Sequence, residues 1–238
     1  MYSELFDPAS SNDPWAILAK LADRPDGAEL LREFRECYRD IETAKRLQNQ
    51  PIEGRAASRV VLIESLEFAR ESLIIVSPWL SKRSIDEEIL LRMTALLDRG
   101  CHLCIGWGYS YDIRGLHPKG NVISITRDRQ VSMSGDRIGN YDALSRLIAL
   151  RSRFPDRMEL KLMGTHEKYL VCDRQFALLG SHNILSSGDT LYAPREMGVK
   201  TMDAGIIETF RENYGNAPDL RHVLHEPEKV AAIASPIF

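Results

Sequence analysis

The sequence predicts an α/β protein with a mixed, largely parallel sheet, helices on both faces of that sheet, and an N-terminal helical extension. The first observation is the continuous apolar run Leu73–Val76, which is typical of a strand buried on both faces. The second is that a helical pattern and another strand pattern, His102–Trp107, follow it within about 35 residues, as in a βαβ unit. Such a unit predicts two parallel strands joined by a crossover helix.

Residues 1–50 form the predicted helical extension. Helical periodicity indicates helices over residues 13–23 and 27–48, and the proline at position 51 ends the second. The extension is either a surface for a protein partner or a pair of helices packed on the domain. The main domain is expected over residues 51–216, and residues 217–238 form a peripheral tail with three prolines.

The main domain begins with a helical pattern over residues 54–70, followed by the strand at Leu73–Val76. Ser84, with Glu87 three residues later, predicts a capping box in which Ser84 is the N-cap of the next helix. A basic residue and a glycine, Arg99–Gly100, predict where that helix ends.

Residues 108–139 are rich in Gly, Ser, Asp and Arg, and they predict a long loop or insertion with one short strand near residues 122–125. A helix is expected over residues 140–153, with Leu144, Leu147 and Ile148 directed inward.

The last third of the chain contains strand patterns and one final helix. Asp203 is expected to cap that helix, and Gly215 to end it. The apolar face of the helix is predicted to hold Ile206, Ile207, Phe210 and Tyr214. The predicted strands are 158–163, a pair joined by a tight turn at Asp173–Arg174, and 196–202.

Composition indicates an ordinary soluble protein, with 44% hydrophobic and 27% charged residues. No apolar run approaches the roughly 20 residues that span a bilayer. The N-terminus carries Glu4 and Asp7 and no basic segment, so it does not resemble a signal peptide. The four cysteines show no disulfide pattern, and we therefore expect a reduced, cytoplasmic protein.

Positive charge is concentrated in one part of the chain. The net charge is −3, yet residues 112–174 contain 12 Lys and Arg against 8 Asp and Glu. This segment either attracts a polyanion or is simply a solvated helix face.

Several reactive side chains recur close together after residue 165. His166 and Lys168 stand two residues apart, a spacing that places both side chains on one face of a strand. Asp173 follows at the predicted turn, and Ser181 and Asn183, again two apart, follow the second strand. An imidazole, an ammonium, a hydroxyl and an amide that converge are suited to gripping and attacking a phosphate.

This pattern, H-x-K-x4-D followed by G-S-x-N, resembles the phospholipase D superfamily. Asn183 lies seventeen residues after His166, and the acidic residue expected later in the family is matched by Glu196, thirteen residues further on. The resemblance covers residues 56–216 as an α/β architecture and is of the single-motif, nuclease-like kind. It does not extend to residues 1–50.

The resemblance implies a role for each residue. His166 would attack phosphorus and form a covalent phosphohistidine. Lys168, Asn183 and Ser181 would hold the non-bridging oxygens. Glu196 would orient His166 through its second ring nitrogen. Because Lys168 supplies positive charge, no metal or other cofactor is implied. Asp173 matches the third member of the motif, although its place at the turn favours a structural role.

The implied mechanism uses two histidines, one to attack and one to protonate the leaving oxygen. The chain has one clear motif. His117-Pro118-Lys119 is a poor second candidate, because Ser124 stands where the aspartate belongs and a proline interrupts the strand. A homodimer in which two copies of His166 share one site is therefore expected.

Other signals are weaker. The cysteines of Cys101-His-Leu-Cys104 point to opposite faces of a strand, which favours buried thiols over a zinc site. Cys172 and His182 are expected to point away from the site. Trp79 is either core or a stacking residue.

Two tyrosines of the predicted loop, Tyr109 and Tyr111, are weak candidates for contact with a nucleic-acid base.

Three functions remain open. A nuclease acting on DNA or RNA is favoured, because the chain has a single motif, its positive segment leads into the site, and it lacks a basic amphipathic membrane helix. A phospholipid phosphodiesterase is the second. The third is a module that binds nucleic acid without cleaving it, within a larger assembly.

Overall fold

The computed structural model describes residues 24–186 and 195–223. The chain divides into two compact units, residues 1–48 and 49–238. The first unit contains helix α1 (Gly27–Gln48), which confirms the helix predicted there. The helix predicted over residues 13–23 lies outside the described residues. Among the helices of the described residues, none has the length and apolar character needed to cross a membrane.

The second unit alternates strands and helices before a final run that is mainly strands. Its strands are β1 (Asn49–Glu53), β2 (Ser72–Ser77), β3 (His102–Trp107), β4 (Ile123–Ile125), β5 (Val131–Met133), β6 (Met158–Leu162), β7 (Tyr169–Cys172), β8 (Phe176–Gly180) and β9 (Met197–Thr201). Its helices are α2 (Gly54–Phe68), α3 (Glu87–Asp98), α4 (Leu144–Arg153), α5 (Ala204–Asn216) and the short α6 (Leu220–Val223).

Seven strands form one mixed sheet in the order β1-β9-β8-β7-β2-β3-β6. β2, β3 and β6 are parallel, as the βαβ pattern predicts. The other four pairings are antiparallel, so the expectation of a largely parallel sheet was wrong although a mixed sheet is confirmed. For β7 and β8 the physical reason is the three-residue link between them, which is long enough only for an antiparallel hairpin.

Alternate residues of the central strands are buried on opposite faces of the sheet, and helices cover both faces, as predicted. Leu73 and Ile75 of β2 pack in the larger cluster with α2, α3 and α4. Ile74 and Val76 pack in a smaller cluster with Ile207 and Tyr214 of α5. The larger cluster includes, from its three helices, Leu62, Leu66, Ile89, Met93, Leu96, Leu144, Leu147 and Leu150.

The start of α3 differs from the predicted capping box. The N-cap is Asp86, whose side chain accepts a hydrogen bond from the Ile89 N–H. Ser84 does not cap the helix, because its hydroxyl accepts from Arg55 and the next residue, Ile85, is buried in the core. The helix therefore begins at Glu87, whereas its end at Arg99–Gly100 is as predicted.

The later helices also depart from the predicted boundaries. α4 begins at Leu144, later than expected, and Ile148 is exposed while Leu150 is buried. In α5 the Asp203 cap is confirmed by its hydrogen bond from the Ile206 N–H, but Ile206 itself is exposed. Gly215 lies inside α5, which ends one residue later.

Two strands were missed by sequence reasoning. β1 contains Pro51 and pairs with β9 at the edge of the sheet, where a proline is tolerated because its missing N–H faces outward. β5 pairs with β4 to form a small antiparallel ribbon within the predicted loop. Both strands are short and lack a continuous apolar pattern.

β8 and β9 approach each other closely at a pair of glycines, Gly180 and Gly198. A Cβ on Gly180 would overlap the backbone of Met197 and Gly198. We expect Gly180→Ala to lower the free energy of unfolding by about 1–3 kcal/mol, measured by urea denaturation. The control is Gly215→Ala in α5, where a Cβ meets nothing and Ala should be neutral or stabilising by up to about 1 kcal/mol. Equal stability of the two variants would contradict the close approach.

Candidate active site

The strand directions bring five of the six predicted site residues to one side of the sheet, where several strands end. We call this row of strand ends the site edge, as distinct from the edge strands β1 and β6. β2 and β3 run parallel, β7 is antiparallel to β2, and β8 and β9 alternate in turn. The ends of β2, β3 and β8 therefore meet the starts of β7 and β9 at the same edge. His166, Lys168, Ser181, Asn183 and Glu196 lie at or just beyond these strand ends.

His166 and Lys168 are in contact with each other. The Lys168 Nζ lies 3.3 Å from the His166 Nε2, and it donates a hydrogen bond of 2.9 Å to the His166 backbone oxygen. His166 is exposed and Lys168 is half-buried. Both residues precede β7 and do not lie within it as expected, because the strand pairing begins at Tyr169. They nevertheless face one another, so a phosphate at the ring nitrogen would also meet the ammonium.

The pKa values of both groups are lowered. Partial burial lowers the pKa of His166, and the nearby positive charge of Lys168 lowers it further. Burial also lowers the pKa of Lys168, while the negative charge of Glu196 opposes that shift. Near neutral pH, the imidazole is therefore held in its neutral form, in which a ring nitrogen carries the free lone pair that a nucleophile needs.

Ser181 lies beside the start of β9. Its hydroxyl accepts a hydrogen bond from the Met197 N–H at 3.1 Å and donates to the Met197 oxygen at 3.3 Å. Asn183 is half-buried two residues later, and its backbone oxygen accepts from the Ser186 N–H. These contacts hold the segment after β8 against the residue that follows Glu196.

Glu196 directly precedes β9 and is half-buried. Its backbone oxygen accepts from the Gly54 N–H at 2.9 Å, which ties it to the start of α2. Its side-chain charge acts on Lys168, as described above. In the part of the chain that the structure describes, His166 and Glu196 form no hydrogen bond with each other.

Asp173 lies at the opposite ends of the strands, away from the site edge. It is only 5% exposed, and its carboxylate accepts hydrogen bonds from the backbone N–H groups of Arg70, Glu71 and Ser72. Its positive φ of 51° belongs to the turn between β7 and β8. At about 3.3 Å per strand residue, five residues separate it from Lys168 by roughly 16 Å. Asp173 therefore anchors β7 to the start of β2 and does not touch the site.

Two aromatic rings contact His166 that sequence reasoning had ranked low. The ring centroid of Trp79 lies 5.9 Å from that of His166, in an edge-to-face arrangement. The Tyr109 ring lies 5.2 Å from it. Trp79 follows β2 and Tyr109 follows β3, so both stand at the site edge. The signal that was available is the position of each aromatic residue just after a buried strand.

The side chains that were expected to point away from the site are mostly buried. His182 is 2% exposed, and neither of its ring nitrogens has a hydrogen-bond partner in the structure as described. Cys101 and Cys172 are buried, and burial raises the pKa of Cys172 to about 12. No cluster of three or more His, Cys, Asp or Glu side chains suited to a metal occurs in residues 24–186 and 195–223.

His117 lies in the segment between β3 and β4. Its Nδ1 accepts a hydrogen bond from the Lys119 N–H at 3.2 Å. Neither residue belongs to a strand of the seven-stranded sheet. His166 and Lys168 stand at the start of a strand of the main sheet, whereas His117 and Lys119 do not.

No protein-family model and no curated protein matches this sequence. Among solved structures, NucT from Helicobacter pylori is 17% identical, with 71% of this chain and 94% of NucT covered and a TM-score of 0.47. Nuc from Salmonella typhimurium, a phospholipase D family member, is 16% identical, with 71% and 92% covered and a TM-score of 0.44. TrmBL2, an archaeal chromatin protein, is 16% identical, with 85% and 68% covered and a TM-score of 0.43.

One of these three structures, Nuc, is described as a phospholipase D family member. The identities are all below 20% and the TM-scores all below 0.5, so these likenesses do not establish a shared activity.

The anchoring role of Asp173 predicts a stability effect. Asp173→Ala leaves the N–H groups of Arg70, Glu71 and Ser72 without their acceptor, and we expect the free energy of unfolding to fall by about 2–4 kcal/mol in urea denaturation. Asp173→Asn keeps one oxygen and tolerates the positive φ, so its loss should be smaller. Asp203→Ala, which removes only a helix cap, is the comparison at about 1 kcal/mol. A stable Asp173→Ala protein would contradict the anchor.

The contact between His166 and Lys168 predicts a titration effect. We expect NMR titration of ¹⁵N-labelled histidine to give His166 a pKa below the ordinary value of about 6.5. Lys168→Met should raise that pKa, because a neighbouring positive charge is removed, without fully restoring the ordinary value, because partial burial remains. An unchanged pKa in Lys168→Met would show that the two groups do not interact in solution.

Proposed function

We propose that this protein is a metal-independent phosphodiesterase, and most specifically a nuclease that cleaves DNA or RNA through a covalent phosphohistidine. The observation that carries this proposal is the exposed His166 ring with an ammonium 3.3 Å from its Nε2, at the edge where the ends of several strands meet. A histidine that is merely exposed on the surface has no reason to be held next to the ammonium of a lysine two residues away. The proposed catalytic domain is residues 51–216.

The reaction proceeds in two displacements. In the first, the His166 Nε2 lone pair forms a bond to phosphorus while the bond from phosphorus to the leaving oxygen breaks, and a second, protonated histidine gives that oxygen its proton. In the second, this histidine takes a proton from water, the water oxygen attacks phosphorus, and the phosphorus–nitrogen bond breaks. The lowered pKa of His166 in the free protein favours the neutral ring that the attacking copy requires. The copy that protonates the leaving oxygen must gain a proton, which the negative charge of a bound phosphate favours.

Charge stabilisation comes from groups already at this edge. Lys168 approaches the attacking nitrogen and would hold a non-bridging oxygen as negative charge develops. Asn183 and the Ser181 hydroxyl would bind the same phosphate, and Glu196 would complete the site. In the free protein, Glu196 acts on Lys168, and its alignment with His166 would form when substrate is bound.

The second histidine is proposed to come from another copy of the chain. Four other histidines are described. His117 lies outside the sheet and His182 is buried. His102 starts β3, at the strand ends opposite the site, and His222 lies on α6 beside Arg129. A two-fold axis through the exposed site edge would place two copies of His166 on opposite sides of one phosphorus.

Nucleic acid is favoured over phospholipid as the substrate. Exposed basic side chains, including Arg114, Lys119, Arg127 and Arg129, lie on the segment between β3 and α4 that also leads to the site. A polyanion would be steered toward such a surface. A lipid substrate would instead call for an apolar or basic amphipathic surface that enters a membrane.

A second candidate is a module that binds nucleic acid without cleaving it. The observation that favours it is that, within the described part of the chain, His166 and Glu196 form no hydrogen bond. A histidine that no carboxylate orients can bind a phosphate but is a weaker nucleophile.

The enzyme is tested with single- and double-stranded DNA and RNA in the presence of EDTA. We expect cleavage of at least one substrate, and a loss of at least 1,000-fold in His166→Ala, because the attacking atom is removed. His102→Ala, an exposed histidine at the opposite edge of the sheet, is the matched control and should keep full activity. Binding without any cleavage would favour the module.

The shared site is tested by subunit mixing, after the mass in solution has been measured. Co-expression of wild-type chains with an excess of His166→Ala chains should lower the activity per wild-type chain, because mixed dimers have only one of the two histidines. Activity per wild-type chain that is independent of the mixing ratio, or a fully active monomer, would rule out a shared site.

A further inference from the structure

Four aromatic rings form a continuous row beside His166. This aromatic row consists of Trp79, Tyr109, Tyr111 and His117. The Trp79 and Tyr109 ring centroids are 5.4 Å apart, Tyr109 and Tyr111 are stacked at 5.2 Å with 17° between their planes, and Tyr111 and His117 are 3.9 Å apart. The end of the row formed by Trp79 and Tyr109 contacts the His166 ring.

The row is accessible to a ligand. Tyr111 is 50% exposed, and the other three residues are half-buried. Trp79 packs partly against the main core, so core packing explains the position of this one ring of the four. Core packing does not account for Tyr111, because half of its surface faces solvent and its ring contacts are with the tyrosine and histidine of the row itself.

A buried carboxylate holds the row in place. Asp112 is fully buried and accepts hydrogen bonds from the Trp79 Nε1 at 3.3 Å and from the Tyr141 hydroxyl at 2.8 Å. The same Tyr141 hydroxyl accepts from the Tyr109 N–H, and Arg137 pairs with Asp112 at 2.9 Å. Burial raises the pKa of Tyr141, so its hydroxyl remains a donor. A row ordered in advance loses little conformational entropy when a ligand stacks on it.

Cations accompany the exposed end of the row. Arg114 and Lys119 are exposed, and Arg114 forms a β-bridge with His117. Exposed aromatic rings next to basic side chains are the combination that binds single-stranded nucleic acid, because bases stack on the rings while cations neutralise the phosphates. In a duplex the faces of the bases are covered by their neighbours, so rings of this kind cannot stack on them.

We propose that the aromatic row binds unpaired bases of single-stranded DNA or RNA next to the phosphate held at His166. The position of the scissile phosphate rests on the proposed function, whereas the stacking itself does not. The row makes the protein selective for single strands over duplexes, and it directs the strand from His166 toward Tyr111.

Binding is measured on the His166→Ala protein, so that cleavage does not interfere. The ligands are a fluorescein-labelled single-stranded DNA, the duplex of the same sequence, and a single strand of equal length made of abasic nucleotides. The abasic strand keeps every phosphate and lacks the bases. We expect the single strand with bases to bind on the order of tenfold more tightly than either of the other two ligands.

Tyr111 is then varied. Tyr111→Ala should weaken binding of the strand with bases on the order of tenfold while leaving binding of the abasic strand unchanged. Tyr111→Phe keeps the ring and should bind as the parent does. The matched control is Phe68→Ala, an aromatic residue that is 58% exposed at the end of α2, which should change neither affinity. Thermal melting verifies that each variant is folded.

The results separate this inference from the proposed function. Equal binding of the strands with and without bases, or an unchanged affinity in Tyr111→Ala, would overturn the stacking proposal even if the wild-type protein cleaves. Base-dependent binding that Tyr111→Ala removes would support it even if the wild-type protein cleaves nothing. If Tyr111→Ala lowered the affinity for the duplex as much as the affinity for the single strand, the proposed selectivity would also be overturned.

Discussion

The hydrogen bonds of the Asp173 carboxylate fix the geometry on which the site depends. They join the turn after β7 to the backbone N–H groups at the start of β2, far from the chemistry. With that end anchored, the antiparallel register of β7 on β2 places His166 beyond the other end of β2, in ring contact with Trp79. The number of residues between His166 and Asp173 thus fixes how far the site lies from the anchoring turn, because β7 spans that distance.

At that edge, polarity and exposure suit a phosphate more than a small apolar ligand. The His166 ring is open to solvent on one side and meets an ammonium on the other. The lowered pKa of His166 keeps the ring neutral, and the charge of Glu196 favours the protonated form of Lys168. A neutral nucleophile beside a cation can approach a phosphate anion without mutual repulsion, which is the main obstacle to attack on a phosphodiester.

The aromatic row and the motif occupy the same edge for one topological reason. Trp79 and Tyr109 follow parallel strands, and His166 precedes a strand antiparallel to them, so all three chain segments emerge together. Under the two proposals made above, phosphate chemistry and base stacking would be adjacent, an arrangement that suits nucleic acid better than a lipid. The two proposed nucleic-acid functions share the binding groups and differ in whether His166 attacks.

The sequence by itself determined the elements with strong local patterns: the helix at 27–48, the strand at His102–Trp107, and the grouping of His166 and Lys168 in one motif. Periodicity and side-chain spacing are properties of neighbouring residues, and they suffice for these. Tertiary structure alone decided the antiparallel majority of the sheet, the cap at Asp86 in place of Ser84, and the aromatic row. Each depends on partners distant in the chain: strand pairing follows the lengths of connections, the cap follows the burial of Ile85, and the rings meet only because separate strands end at one edge.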